Sequence, residues 1–250
     1  TFIGICRSLF KWSRNDGTRI LGVGTDSKYY AELGGVYFDI TPLRDSSVAG
    51  GATFSAVTGS DILTITDTAH GAFQHDYVTF SSAVTLNGAI TATVLNQNYK
   101  IETIVDANNY TILAVDQSGV TVLATGADTG NGGSLTIAAY EIHVGAASAL
   151  AFSGWGGGTW SEGLTGWGTS GTTAPTTNFR IWNNSNFGED LIAGIPNGPL
   201  YLWEGDTAQR MTPISAAAGA TATPIVHNLL LISDISRFIF VFGCNPIALG

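Results

Sequence analysis

The sequence contains few charged residues and only two cysteines. Asp, Glu, Lys and Arg together make up 12% of its 250 residues, about half of the share that is usual in soluble proteins. Cytosolic enzymes commonly carry many Lys and Glu residues on amphipathic helices, so this composition favours a secreted, fibrous or assembled β protein. Two cysteines are too few for a disulfide scaffold. Because Cys6 and Cys244 stand in apolar, strand-like segments, we predict two buried thiols.

Long apolar runs are also lacking. The longest apolar segment, residues 229–243, is interrupted by Ser, Asp and Arg, and none approaches the ~20 residues of a membrane span. Residues 1–10 are apolar, but they are too short for a secretory signal and lack its small-residue cleavage pattern. The sequence therefore predicts neither a membrane span nor a signal peptide.

Cations are scarce. The chain has 10 Lys and Arg residues against 19 Asp and Glu residues, which gives a formal net charge of −9. A protein that grips nucleic acid needs clustered cations, so the charge argues against such a function. It is compatible with a protein that lets DNA pass, because a negative wall repels phosphates. It is equally compatible with acidic charge that only keeps a protein in solution.

Residue patterns typical of catalysis or metal binding are missing as well. Glu189 and Asp190 are adjacent, so on a strand they point to opposite faces and cannot flank one bond. The histidines lack the spacing of metal ligands, and we expect the first two to serve a turn: His70, His75, His143 and His227. The acidic stretches lack the alternation of a calcium loop. We predict no catalytic residue, no cofactor-binding residue and no metal ligand, and hence a protein that is not an enzyme.

The chain is organised around a repeated unit in residues 178–206. Its residue types predict a strand at 179–182, a polar turn at 183–186, an apolar strand at 191–195 and an aromatic strand at 200–203. Gly188 and a Pro-Asn-Gly sequence supply the turns, because Gly and Asn tolerate positive φ and Pro fixes φ. Aromatic and β-branched residues suit the pleated surface between them.

The same pattern is found before and after this unit. Aligned pairs at the start of the chain are Trp12 with Trp182, Asn15 with Asn186, Gly17 with Gly188, Ile20–Leu21 with Leu191–Ile192, Gly24 with Ile195, and Tyr29–Tyr30 with Leu200–Tyr201. A weaker copy begins near His227, with strands expected at 228–232 and 238–243. The spacing fits the roughly 40 to 50 residues of a four-stranded propeller blade. The alternative is a chance recurrence of turns and strands. The last copy is unfinished at Gly250, so we expect the natural polypeptide to be longer.

The middle of the chain has a different composition. Short runs of Thr, Val and Ile alternate with polar residues, and strands are expected at 52–57, 62–66, 77–81, 90–94, 99–105, 110–115, 120–124 and 135–144. Their spacing fits a small sandwich or barrel. Because blade-like pattern lies on both sides, we predict an insertion in a loop. The predicted organisation is a propeller-like segment 1–44, an inserted β domain 45–147, and a Gly/Trp-rich arm with further blade-like strands in 148–250.

The glycine-rich arm 150–177 contains three tryptophans, Trp155, Trp160 and Trp167. Exposed tryptophans stack on sugars. They are also enriched at the centres of protein interfaces, and they fill cores. An irregular segment of this length is usually functional or interfacial. The sequence leaves these three interpretations open.

Three segments are distinctive: GTDSKYYAELGGVYFDITPLR, GWGGGTWSEGLTGWG and RIWNNSNFGEDLIAGIPNGPLYLWEGD. They resemble structural proteins of tailed bacteriophages, in particular the tail nozzle (tail tubular protein B) of short-tailed phages. The middle module, with TAHGAFQHDYVTF, LNG and YKIETIVDANNYTI, resembles a small β domain inserted in such virion proteins. It departs from that pattern at residues 74–76, Gln-His-Asp, where a Gly usually precedes the Asp, so the local turn type is in doubt.

The resemblance implies an all-β chain with a partial β-propeller-like domain and an inserted small β-sandwich or barrel. It implies a virion subunit, assembled in the host cytoplasm, that forms a ring with itself, by analogy a hexamer. Tail adaptor and tail fibre proteins would be its neighbours, and DNA would pass through without sequence-specific binding. Acids expected to line that channel are Asp26, Glu32, Asp39, Glu189, Asp190, Glu204 and Asp206. The alternatives are a glycan-binding adhesin or receptor-binding component, and a secreted propeller glycosidase.

Overall fold

A computed structural model describes residues 2–145, 153–154, 171–172, 181–233 and 235–245. The chain divides into two compact units, a first unit of Thr1–Ile40 with Val144–Gly250 and a second unit of Thr41–His143. Nearly all regular structure in the described residues is antiparallel β-sheet, so the prediction of an all-β fold is confirmed. The insertion that the sequence predicts, 45–147, begins and ends about four residues after the second unit does.

The first unit begins with a four-stranded sheet, called here the first sheet. Its strands follow one another in chain order: β1 (Cys6–Ser13), β2 (Arg19–Thr25), β3 (Tyr29–Leu33) and β4 (Val36–Asp39). The β1–β2 loop contains the sequence Asn-Asp-Gly at residues 15–17. Gly17 takes a φ of 84° there, which is open to glycine and strained for other residues, and Asp16 accepts a hydrogen bond from the Thr18 amide at 2.8 Å.

The second unit contains two four-stranded sheets. The strands are β5 (Leu43–Ser46), β6 (Thr53–Ala56), β7 (Ile62–Thr66), β8 (Tyr77–Ser81), β9 (Asn98–Lys100), β10 (Thr103–Ile104), β11 (Asn109–Leu113) and β12 (Ile137–Glu141). One sheet has the order β10-β11-β7-β6 and the other β5-β12-β8-β9. Apolar side chains at alternate positions of both sheets, such as Phe54, Ile65 and Phe80, are buried in one common core.

Two strands expected in the second unit are wrong. Residues 90–94 overlap the short helix α1 (Ala92–Leu95), which begins because the Thr91 side chain accepts a hydrogen bond from the Val94 amide. Residues 120–124 contribute only an isolated bridge, between Val115 and Thr121. Local apolar content was a poor guide at both places because it does not distinguish a strand from another buried segment.

The first unit continues with β13 (Ser153–Gly154) and β14 (Gly171–Thr172), which pair antiparallel. The three tryptophans of the glycine-rich arm, Trp155, Trp160 and Trp167, lie outside the described residues.

A second four-stranded sheet of the first unit follows, called here the second sheet. Its strands again run in chain order: β15 (Asn183–Phe187), β16 (Asp190–Gly194), β17 (Leu200–Trp203) and β18 (Thr212–Pro213). The polar turn expected at 183–186 is wrong, because those residues form β15. Their side chains find partners on neighbouring elements: Asn183 donates to the Asn228 carbonyl at 2.8 Å and Asn184 to the Ser8 hydroxyl at 3.3 Å.

The strand register corrects the internal alignment of the first two sheets. Ser13 pairs with Arg19 across the first hairpin, and Phe187 pairs with Asp190 across the corresponding one. The first hairpin loop is therefore longer, and Trp12 corresponds in register to Asn186 rather than to Trp182. The alignment of Ile20 with Leu191 is right, since both follow the first paired residue of their strand. Because the first hairpin loop is longer than the second, an alignment of the residue types matches β2 with β16 but shifts β1 relative to β15.

The last sheet of the first unit, called here the third sheet, is a hairpin of β19 (Leu229–Ile232) and β20 (Ile239–Phe242). Its inner face packs against the second sheet, where Leu230 and Ile232 share a buried cluster with Ile192 and Leu200. The second sheet is thus covered on one face by the third sheet. Its other face contacts the first sheet, as described next.

Candidate functional site

The first and second sheets meet through aromatic side chains. The rings of Trp12 and Trp203 lie edge to face with centroids 6.3 Å apart, and those of Tyr29 and Trp182 lie edge to face at 4.9 Å. Such pairs add about 0.5–1.5 kcal/mol beyond the burial of their area. Burial also raises the pKa of Tyr29 far above its ordinary value, so this phenol stays neutral.

The N–H groups of Trp12 and Trp182 also form hydrogen bonds across the interface. Trp12 donates to the Glu189 carbonyl at 3.0 Å, and Trp182 donates to the Thr25 carbonyl at 3.0 Å. Each indole thus buries its rings and satisfies its one polar atom with backbone of the opposite sheet. The interface therefore fixes the orientation of the two sheets as well as their contact.

Close packing at this interface requires glycine in β2. A Cβ placed on Gly24 would lie 2.6 Å from Cδ1 and 2.8 Å from Cγ of Trp182. The Trp182 ring is buried and hydrogen-bonded, so it has no room to withdraw. The glycine here serves close approach of the neighbouring ring.

The seven acids expected to line a channel lie at both ends of the strands of the first unit. Leu21 pairs with Glu32, Phe187 with Asp190, and Leu191 with Trp203, the residue before Glu204. One end, called here the acidic end, therefore carries Glu32, Glu189, Asp190, Glu204 and Asp206. The opposite end carries Asp26 and Asp39.

The two acids at the opposite end are engaged locally. Asp39 forms ion pairs with Lys28 at 2.7 Å and Arg210 at 3.5 Å. Asp26 accepts a hydrogen bond from the Ile5 amide at 2.6 Å. Because two cations balance Asp39, this end adds little net negative charge.

At the acidic end several carboxylates lie close together. Glu189 accepts a hydrogen bond from the Asn15 amide at 2.7 Å and lies 3.9 Å from the Arg14 guanidinium. Burial raises the pKa of Asp190, and the charges of Glu204 and Glu189 raise it further, while Arg14 acts in the opposite direction. These acids therefore repel one another. Negative charge exceeds positive charge among them.

The remaining two acids of that end bind turn amides. Glu32 accepts from the Gly35 amide at 2.6 Å, and Asp206 accepts from the Ala208 amide at 2.9 Å. Such bonds hold the turns at the strand ends.

A buried polar network in the second unit has no counterpart in the sequence analysis. The Tyr140 hydroxyl donates to Asp67 at 2.6 Å and contacts the Tyr110 hydroxyl at 3.1 Å. Burial raises the pKa of both tyrosines well above the ordinary value, so both stay neutral. No local signal could reveal the network, since its members lie on β7's end, β11 and β12, far apart in the chain.

The histidines are placed separately. His70 is buried, with Nδ1 accepting from the Ala72 amide at 3.0 Å and Nε2 3.2 Å from the Asp106 carbonyl. His75 has a φ of 72°, the left-handed conformation that favours glycine. It occupies the position at which the virion β domain that this module resembles usually has Gly. The turn therefore contains a residue that is strained in this conformation. His143 contacts Asp76 at 2.6 Å.

The fourth histidine, His227, is fully buried in the first unit. Its Nδ1 bonds the Gly198 carbonyl at 2.7 Å, while Nε2 has no hydrogen-bond partner among the described residues. Nδ1 must therefore carry the proton. Burial lowers the pKa of this imidazole, which favours the neutral form.

Two further expectations concern metal sites and thiols. Within the described ranges, no three His, Cys, Asp or Glu side chains lie together as a metal site would require. Cys6 and Cys244 are both exposed, so the prediction of buried thiols is wrong. The apolar flanks misled it: Cys6 opens β1 and Cys244 follows the end of β20, where the sheets stop covering side chains. In the part of the chain that the structure describes, no helix is long and apolar enough to cross a membrane.

Comparison with known proteins gives one structural neighbour to report. No protein-family model and no curated protein matches the chain. Among solved structures, the phage phi92 endosialidase is similar over 92% of this chain at 14% sequence identity and a TM-score of 0.27. The chain spans 31% of the length of that protein. A likeness of this size carries no argument about function.

Proposed function

We propose that this chain is a structural subunit of the tail of a short-tailed bacteriophage, where it forms part of a ring through which DNA is ejected. The observation that carries the proposal is the series of antiparallel sheets in the first unit. Two of them are four-stranded meanders in chain order that pack face to face, which is the construction of propeller blades. Two of the segments that resemble nozzle proteins, 24–44 and 180–206, overlap these two sheets.

The distribution of charge supports the same function. The acidic end gathers five carboxylates of the first two sheets, and the cations at the same end are Arg14, Arg19 and Arg237. If this end faces the conduit, sliding phosphates meet repulsion and few cations to hold them. Only charges within about 8 Å of the channel surface would act on the duplex at physiological salt. The acids at the strand ends are the ones suited to that place.

The proposal is tested on intact particles of the phage that encodes the chain. Antibodies raised against the purified chain, detected with gold in electron microscopy, are expected to label the tail. Labelling of the capsid alone, or none on particles whose tails are accessible to a control antibody, would overturn the proposal. A glycan array with the purified chain separates the adhesin alternative, because a nozzle subunit is expected to bind no glycan.

A further inference from the structure

The outer face of the third sheet is apolar and exposed. Leu229 pairs with Phe242, and Leu231 pairs with Phe240. Directly opposed residues share a face, and residues two apart along a strand share it too. These four side chains therefore form one surface, called here the outer patch, and each is between 47% and 56% exposed.

The size of the outer patch is that of an interaction surface. Four large side chains that each expose about half of their area leave on the order of 400 Å² uncovered. The loop between the strands adds Phe238 and Ile235, which is 96% exposed. A standard interface buries about 800 Å² on each partner, so the patch and its loop supply a large part of one.

The patch lies at one open end of a series of packed sheets. The second sheet is covered on both faces, by the first sheet and by the third. Among the described residues, the third sheet is covered on one face only. The first sheet stands at the other end of the series, because Trp12 and Tyr29 face the second sheet while Leu9 and Tyr30 alternate to its outer side.

The outer side of the first sheet is mixed in character. The exposed Lys11 and Arg19 share it with the exposed Leu9, while Val23 and Tyr30 of the same side are buried. The ring of Phe2 lies 6.1 Å from that of Tyr30 and 5.3 Å from that of Tyr37, which brings the N-terminal residues across this side. Beside them Ile3, Ile5 and Leu9 are exposed. Both ends of the series thus present aliphatic side chains to water, and the outer patch adds exposed aromatic rings.

We propose that the outer patch docks onto the outer side of the first sheet of a second copy of this chain. This head-to-tail contact continues the face-to-face packing already present between the three sheets, and it covers both open ends at once. Pairing of two outer patches would be isologous, would end at a dimer, and would leave Ile3, Ile5 and Leu9 in water. A heterologous contact repeats and produces a closed ring or an open filament. As the contact of a ring, it rests on the proposed function.

The two exposed cysteines provide a direct test. Cys6 precedes Leu9 in β1, and Cys244 follows Phe242 of the outer patch. A short bifunctional maleimide is expected to produce a ladder of cross-linked species from the wild-type chain. Neither Cys6→Ser nor Cys244→Ser alone should cross-link, whereas an equal mixture of the two variants should give dimers. Cross-linking of Cys6→Ser with itself would indicate paired outer patches and overturn the proposal.

The oligomeric state of the chain in solution provides the second test. Sedimentation of the wild-type chain is expected to show concentration-dependent association, and Phe240→Lys should weaken it at least tenfold. Val48→Lys is the matched control, because Val48 is an exposed apolar residue of the second unit and should leave association unchanged. Near-UV circular dichroism verifies that Phe240→Lys is folded, and Leu231→Ser is a milder second variant. A wild-type chain that stays monomeric, or folded variants that associate normally, would refute the contact.

The two proposals fail separately. Tail labelling with a monomeric chain would leave the proposed function standing and reject the head-to-tail contact. A mixed-variant cross-link without tail labelling would establish the contact and reject the phage function.

Discussion

Replacing Gly24 with Ala is expected to destabilise the contact between the first and second sheets. In an ordinary strand position Ala is about 0.5–1 kcal/mol better than Gly, because Gly loses more conformational freedom on folding. Here the added Cβ would lie 2.6 Å from Cδ1 of Trp182, well inside van der Waals contact. Overpacking of this kind costs about 1–3 kcal/mol. The sign of the change is therefore opposite to the one expected from strand propensity.

The indole has no low-cost way to yield. Its N–H donates to the Thr25 carbonyl, and its ring lies edge to face on Tyr29. A shift large enough to admit the methyl group would weaken that hydrogen bond, whose net contribution is about 0.5–1.5 kcal/mol. We expect Gly24→Ala to lower the free energy of unfolding of the first unit by about 2 kcal/mol.

Tryptophan fluorescence during urea unfolding measures this change. All 6 tryptophans lie outside residues 41–143, so the signal reports the first unit. Trp182→Ala removes the Cγ and Cδ1 atoms that clash, both of which a Phe ring would keep, and serves in a double-mutant cycle. The double variant should be more stable than the sum of the single effects predicts. Gly24→Ala with unchanged or increased stability, or strict additivity with Trp182→Ala, would refute the close-packing argument.

Three further predictions follow from the described residues. Burial lowers the pKa of His227 from its ordinary 6.5, so the contribution of this residue to stability is complete above pH 6.5 and is lost as the pH falls towards the folded-state pKa. The urea midpoint measured by tryptophan fluorescence should therefore drop less between pH 7.5 and pH 5 in His227→Asn than in the wild type, and an equal drop would contradict this. His75→Gly should raise the stability of the second unit by about 1 kcal/mol in calorimetry, because it relieves a left-handed backbone, whereas Gln74→Gly should lower it; a loss in both would show that the His75 side chain matters more than its φ. Replacing Asp190 and Glu204 with Lys should give the chain salt-dependent affinity for duplex DNA in a mobility-shift assay that the wild type lacks, and a wild-type chain that binds equally well would remove the electrostatic argument.

Strands with regular alternation were predictable from the sequence. The expected strands at 62–66 and 77–81 coincide with β7 and β8, because period-2 burial and Gly, Pro and Asn turns are local signals. The strand Asn183–Phe187 was missed for the opposite reason. Its asparagines are stabilised by Asn228 and Ser8, far away in the chain, and no window of sequence contains both partners.

The acids of the candidate site were also only partly predictable. Seven acids near the repeat strands could be selected from the sequence, but the sequence does not distinguish those that bind cations from those that repel one another. Asp39 is paired with Lys28, whose side chain is 1% exposed, whereas Asp190 lies against other acids. Which acids are paired and which lie together depends on the strand register, and the register depends on the lengths of the turns. The loop after β1 is longer than the corresponding loop after β15, which is why the sequence alignment matched Trp12 with Trp182 wrongly.

Apolar and acidic surfaces occupy different sides of the sheets in the first unit. The exposed apolar side chains of the outer patch, such as Leu229 and Phe242, stand on the flat face of a terminal sheet. The acids stand at the strand ends, perpendicular to the sheet faces. Sheets that associate through their faces therefore keep their strand ends free, and every added copy brings its acidic end to the same side. If copies close into a ring about an axis near the acidic ends, the carboxylates converge on that axis while the apolar faces are buried between neighbours. The geometry of a single chain thus makes the two proposals, a head-to-tail contact and a negatively charged conduit, compatible with one assembly.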